Sequence, residues 1–119
     1  MPLVTIHHKF GVPQEDIIWS LAKELPEIVA EALNVKGKPE AHLDPGDVEV
    51  RISRLGEHDV NTRDVEIIVT ANFYLERMAN LEEREEMILN AVRDFFADYD
   101  FNVSGYVWID LKLAAFGAL

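Results

Sequence analysis

Two stretches of helical periodicity, each set between β-branched runs, constrain this chain more than any other feature. The first run, Leu3–His8, reads LVTIHH and suits a short strand. Gly11-Val12-Pro13 ends it, and Pro13 suits the first turn of a helix. Over residues 14–33, Ile17, Ile18, Leu21, Ala22, Leu25, Ile28, Val29, Ala32 and Leu33 recur at helical spacing. Pro26 lies inside that run, so a kink or break is predicted near Leu25. Residues 34–46 carry Gly and Pro turn signals and form a loop. Val48, Val50 and Ile52 then alternate with Glu49, Arg51 and Ser53 as a half-buried strand. After a polar connection, residues 65–70 are β-rich. Asn80 is predicted to cap a second helix, with Glu83 as its capping-box partner and Glu82 beside it favouring the dipole. Met87, Ile88, Ala91, Val92, Phe95, Phe96 and Tyr99 form that helix's apolar face. Residues 106–111 are the last strand, and an apolar tail follows.

The order is β-α-β, then β-α-β again, a repeat of architecture and not of sequence. Right-handed crossovers joined edge to edge give an α/β (α+β) chain with a four-stranded mixed sheet and both helices on one face. The 119 residues suffice for one domain, 1–119, and not for two. Val48, Val50, Ile52, Val65, Ile67, Val69, Val107, Ile109 and Leu111 share the helix-facing parity. Glu49, Arg51, Ser53, Glu66, Ile68, Thr70, Tyr106, Trp108 and Asp110 share the other. Ile68, Tyr106 and Trp108 make that second face too apolar for water, as on a surface that meets a subunit or a ligand. A homo-oligomer is expected, and the apolar tail, which has no obvious partner within the chain, agrees.

Charge and composition remove whole classes of function. The formal net charge is −11, and no Lys/Arg cluster offers itself to phosphate, so nucleic-acid binding is not expected. The same charge repels anionic membranes and weakens steering of acidic ligands, so a carboxylate substrate needs a local cation. No apolar run approaches the roughly 20 residues of a membrane span. No signal-like start is seen, so a cytoplasmic protein is expected. Without cysteine there is no disulfide, thiolate metal site or cysteine nucleophile. His7 and His8 are adjacent and point to opposite faces of a strand, so no metal site is expected there. No Gly-rich phosphate loop is present, and no cofactor is expected. His58-Asp59 is a weak acid–base candidate, and the 82–86 acidic run reads as a solvated helix face with Arg84 in local pairs.

Pro2 is the candidate for chemistry. Once Met1 is removed, it presents a secondary amine on a rigid ring. An α-amino group has an ordinary pKa near ~8. An apolar pocket or a nearby cation lowers that value towards the range useful for abstracting a proton beside a carbonyl.

The opening MPLVTIHH, the Gly37-Lys38-Pro39 after the first helix, Leu81-Glu82-Glu83-Arg84 entering the second, and Tyr106-Val107-Trp108 with Asp110 and Ala114-Ala115 resemble the tautomerase superfamily. They are similar to its macrophage migration inhibitory factor and 5-carboxymethyl-2-hydroxymuconate isomerase branches. The resemblance runs along the whole chain in order of elements. It implies a homotrimer with active sites between subunits, and a Pro2 that moves a proton on an enol or unsaturated 2-oxo acid without a cofactor. By position in the GKP, Lys38 matches the family's substrate-binding lysine. Tyr106 and Trp108 fall where the last strand offers side chains to the pocket, Trp108 in place of a polar group. Arg51 either binds the substrate carboxylate in a bidentate manner or pairs with Glu49 or Glu66. The alternatives are a non-catalytic oligomeric or regulatory module with this fold, and an interaction protein that has kept the shape and lost the activity.

Overall fold

A computed structural model describes residues 2–100 and 102–119. The strands are β1 (Leu3–His8), β2 (Glu49–Arg54), β3 (Val65–Asn72) and β4 (Gly105–Lys112); the helices are α1 (Glu15–Leu33), α2 (Leu75–Ala79) and α3 (Leu81–Asp98). Short 3-10 turns occupy Pro39–Ala41 and Pro45–Asp47. The four strands form one sheet in the order β2-β1-β3-β4. β1 is parallel to β2, β3 is parallel to β4, and the two pairs meet antiparallel at β1 and β3. The expected double β-α-β plan is therefore the observed one.

The register fixes the two faces. Val4 pairs with Val50 and Val69, and Ile6 with Ile52 and Ile67; Val107 and Ile109 continue this face on β4. Ile17, Ile18, Leu21, Leu25 and Val29 of α1 and Ile88, Val92, Phe95 and Phe96 of α3 close over it as one core. The other face runs in rows. Arg51, Thr5, Ile68 and Trp108 form one row, and Ser53, His7, Glu66 and Tyr106 the next. Among the described residues no helix covers them, and Trp108 is 63% exposed. Among the described residues no helix is long and apolar enough to cross a membrane.

Several local expectations are corrected. α1 runs unbroken through Pro26. The missing N–H of Pro26 removes one bond to Ala22, but the buried stripe of Leu21, Leu25 and Val29 spans the site and holds the helix together. Pro13 lies ahead of the helix, whose N-cap is Gln14. Asn80 does occupy the N-cap of α3, yet its side chain makes no capping bond. Its Oδ1 accepts from Arg84 Nε at 2.7 Å instead. Arg84 in turn is buried and not paired with its acidic neighbours.

This topology collects particular segments at one end of the sheet. β1 begins there and α1 returns to it, so the end of α1 and the 34–48 connection lie beside the start of β2. β3 finishes there, followed by α2, and β4 finishes there as well, where the Phe73 N–H donates to Lys112 O at 2.8 Å.

Candidate active site

Pro2 stands at that end. It is buried, and its carbonyl accepts from Glu49 N–H at 3.1 Å, which ties it to the first residue of β2. Leu3 pairs with Thr70, so the ladder leads from Pro2 towards Ala71 and Asn72 at the end of β3. Met1, whose removal a proline base requires, lies outside the described residues.

Lys38 belongs to the same end. Gly37 before it has φ of 75°, in the left-handed region that glycine enters without a steric penalty, and the chain turns there into Pro39–Ala41. Lys38 Nζ lies 3.1 Å from Glu76 Oε2 and 3.6 Å from Glu40 Oε1. It also sits 5.5 Å above the Tyr74 ring. The hydrogen bond to Glu76 raises Lys38 above its ordinary pKa, burial opposing, and the same bond lowers Glu76. Lys38 borders a concavity of ≈ 590 Å³ with Asn34, Val35 and His42.

Two buried arginines support this end. Arg77, 2% exposed, donates from Nε to Leu33 O at 2.9 Å, from Nη1 to Asn72 O at 3.0 Å and from Nη2 to Ala41 O at 3.3 Å. Arg84 Nη1 donates to Ala32 O and Asn34 O, each at 2.9 Å. α1 has no basic residue in its last turn. The two guanidiniums take that role from elsewhere in the chain, meeting the final carbonyls where the dipole is negative. Burial, with the positive charge of Arg84 nearby, lowers the pKa of Arg77. Tyr74 packs its ring 4.9 Å from the Arg77 guanidinium and donates its hydroxyl to Glu40 O at 3.1 Å. The segment from Tyr74 to Arg77 thus fastens the loop that carries Lys38. Sequence reasoning passed over Tyr74, Glu76 and Arg77, since their partners are distant in sequence and mostly backbone carbonyls. Arg84 was readable: with Ile88, Val92 and Phe95 it continues the buried stripe of α3.

The remaining candidates lie on the open face. Arg51 bonds Glu49 through Nη2 at 3.3 and 3.4 Å, on its own strand. Trp108 shares its row, and with Ile68, Tyr106 and Asp110 it lines a shallow groove of ≈ 490 Å³. Tyr106 is one row further from Pro2. The β4 residue level with Ala71 is Leu111, so Tyr106 lies five residues back, about 17 Å along the strand. One chain therefore gathers Pro2 and Lys38 at one end and leaves Tyr106 near the other. Burial, with the negative charge of Glu66, raises the Tyr106 phenol pKa, Arg63 opposing. His58 is exposed, and Asp59 Oδ2 is engaged by Gly56 N–H at 2.6 Å. Among the described residues no three His, Cys, Asp or Glu side chains group as metal ligands.

Two parallel β-α-β units joined through β1 and β3, with a proline at the head of β1, define an α+β chain of the tautomerase fold. Solved structures of that superfamily share it. A 5-carboxymethyl-2-hydroxymuconate delta-isomerase superposes with a TM-score of 0.68 at 13% identity, covering 100% of this chain and 87% of that one. Malonate semialdehyde decarboxylase gives 0.64 at 14%, covering 98% and 91%. A macrophage migration inhibitory factor-like protein from Entamoeba histolytica gives 0.59 at 11%, covering 94% and 89%. No protein-family model matches the sequence, and no curated protein matches it.

Proposed function

We propose that this chain is a cofactor-independent tautomerase or isomerase that moves a proton on an enol or unsaturated 2-oxo acid. The observation that carries the reading is a buried Pro2 heading β1 of a tautomerase fold, at the sheet end that also holds Lys38. With Met1 removed, the proline nitrogen takes the hydroxyl proton of an enol, or the proton on carbon beside the carbonyl of an unsaturated 2-oxo acid, and a proton is returned to another carbon. Lys38 offsets the negative charge of the substrate carboxylate or of the developing enolate. Arg51 is a second carboxylate site once it leaves Glu49. Tyr106 and Trp108 reach the pocket from a neighbouring copy in a homotrimer, which suits their exposure and their distance from Pro2 in one chain. The site is proposed to need no metal and to work in the cytoplasm. In support, the malonate semialdehyde decarboxylase structures include a proline-to-alanine mutant beside the wild type.

The test is ketonisation of phenylenolpyruvate by untagged protein whose mass confirms loss of Met1, beside Pro2→Ala. Turnover that disappears in Pro2→Ala supports the proposal. One observation favours the alternative of a non-catalytic oligomeric module: Lys38 and Arg51 are both already paired with carboxylates. No turnover from correctly processed protein selects that alternative.

A further inference from the structure

Lys38 has three N–H donors, and the free chain supplies them with Glu76 at 3.1 Å and Glu40 at 3.6 Å, above the face of Tyr74. A ligand carboxylate arriving at Lys38 therefore meets an ammonium that already holds a carboxylate. The pair is open to exchange, with side chains 30% and 42% exposed. The backbone of α2, which carries Glu76, is not free to move away. The next residue, Arg77, binds it to Leu33, Asn72 and Ala41, and Arg84 Nη2 lies 3.5 Å from Glu76 O. On the α2 side of the pair it is the Glu76 side chain that can swing.

We infer that Glu76 determines specificity at Lys38, its carboxylate holding the place that the carboxylate of an anionic ligand takes. Binding is then an exchange of carboxylates on one ammonium. A ligand must displace Glu76, and the displaced charge stays close by and repels a second anionic group. A neutral ligand gains nothing by entering, because the Lys38 charge is already met. The site thus favours small monoanions over esters and over compact dianions. Glu40, longer-ranged and more exposed, is the weaker competitor.

The inference rests on the proposed reading of Lys38 as a ligand-binding residue, and its test does not depend on turnover. Phenylpyruvate and its methyl ester are titrated by calorimetry into the full chain, Glu76→Gln and Lys38→Met. Removing an exposed competing carboxylate is expected to tighten phenylpyruvate binding about two- to fivefold, the size of a partly exposed ion pair. Lys38→Met is expected to weaken it, and the ester to bind all three proteins alike. Phenylpyruvate binding unchanged or weakened in Glu76→Gln overturns the exchange. Binding unchanged in Lys38→Met, or absent throughout, overturns it at Lys38. The enol assay with Pro2→Ala decides the catalytic reading separately, so a failed exchange and a failed activity are told apart.

Discussion

Arg77 Nε donates to Leu33 O, the last residue of α1, at 2.9 Å across 44 positions of sequence. The same guanidinium reaches Asn72 at the end of β3 and Ala41 beyond Lys38, so one side chain joins three segments. Arg77→Met leaves those carbonyls without this donor in a buried place. An unsatisfied buried polar group costs about 1–3 kcal/mol. With three carbonyls affected, a loss of about 3 kcal/mol is expected, a melting temperature lower by roughly 10 °C. Arg77→Lys, which keeps the charge and loses the fork, is expected to fall between. Thermal unfolding followed by circular dichroism checks both.

These arginines mark where the sequence was legible and where it was not. β1 was read with its observed bounds, and β2, β3 and β4 differ from their readings only at the ends. Alternation reports one buried face on the central strands β1 and β3, whereas β2, read as half-buried, is an edge strand exposed along most of its length. α2 has five residues, too few to show a period, and so escaped notice. Asn80 carried a local capping signal that lost to a tertiary one, since Arg84 needs its Oδ1 on the way to α1. Pro2 was singled out by its context at the head of β1, and Lys38 by the resemblance of its Gly-Lys-Pro to the tautomerase superfamily. That they share an end of the sheet follows from the return of α1, whereas Glu76 as partner of Lys38 follows from a fold contact no motif records.

Glu76 should show its partner in solution. The hydrogen bond from Lys38 holds its carboxyl below the ordinary 4.5, against the opposing effect of burial. A depressed folded pKa means that the pair's contribution is present above 4.5 and is lost as pH falls through the folded value. Carbon-detected NMR titration is expected to place Glu76 below 4.5 in the native chain. In Lys38→Met it should move up. A Glu76 that titrates identically in both proteins would show that the pair does not form in solution.

Gly37 offers a test of the Lys38 turn. Its φ of 75° is strained for a residue with a Cβ, although a Cβ there would meet nothing within 4 Å. The cost of Gly37→Ala is therefore conformational, about 1 kcal/mol. Gly105→Ala differs in kind, because its Cβ would fall 2.3 Å from Val65 O, where β3 and β4 begin to pair. Chemical denaturation should rank Gly105→Ala as clearly the more damaging.

The Tyr106 phenol is expected to ionise above its ordinary 10.0 in an ultraviolet titration, because burial and the charge of Glu66 both disfavour phenolate. Glu66→Gln should bring it down. A raised folded pKa gives a contribution that is present below 10.0 and is lost as pH rises through the folded value. Alkali should therefore loosen the β3–β4 edge.

The open face makes the last prediction. Ile68, Tyr106 and Trp108 lie together across β3 and β4 with no helix over them, while the charged Arg51 and Glu49 stay on β2. An apolar patch flanked by charge is the form of a subunit contact. If three copies close around it, sedimentation gives a mass near three times the 13.6 kDa of one chain. Trp108→Glu puts a charge in the middle of the patch and is expected to give monomers whose circular dichroism is unchanged, since the 63% exposed indole contributes little to the chain's own core. On the proposed reading the same substitution abolishes turnover without touching Pro2, both by taking the indole out of the pocket and by parting the Pro2 end of one copy from the Tyr106 end of the next. A variant that stays fully active as a monomer would place the whole site within one chain, and Tyr106 would then lie outside it.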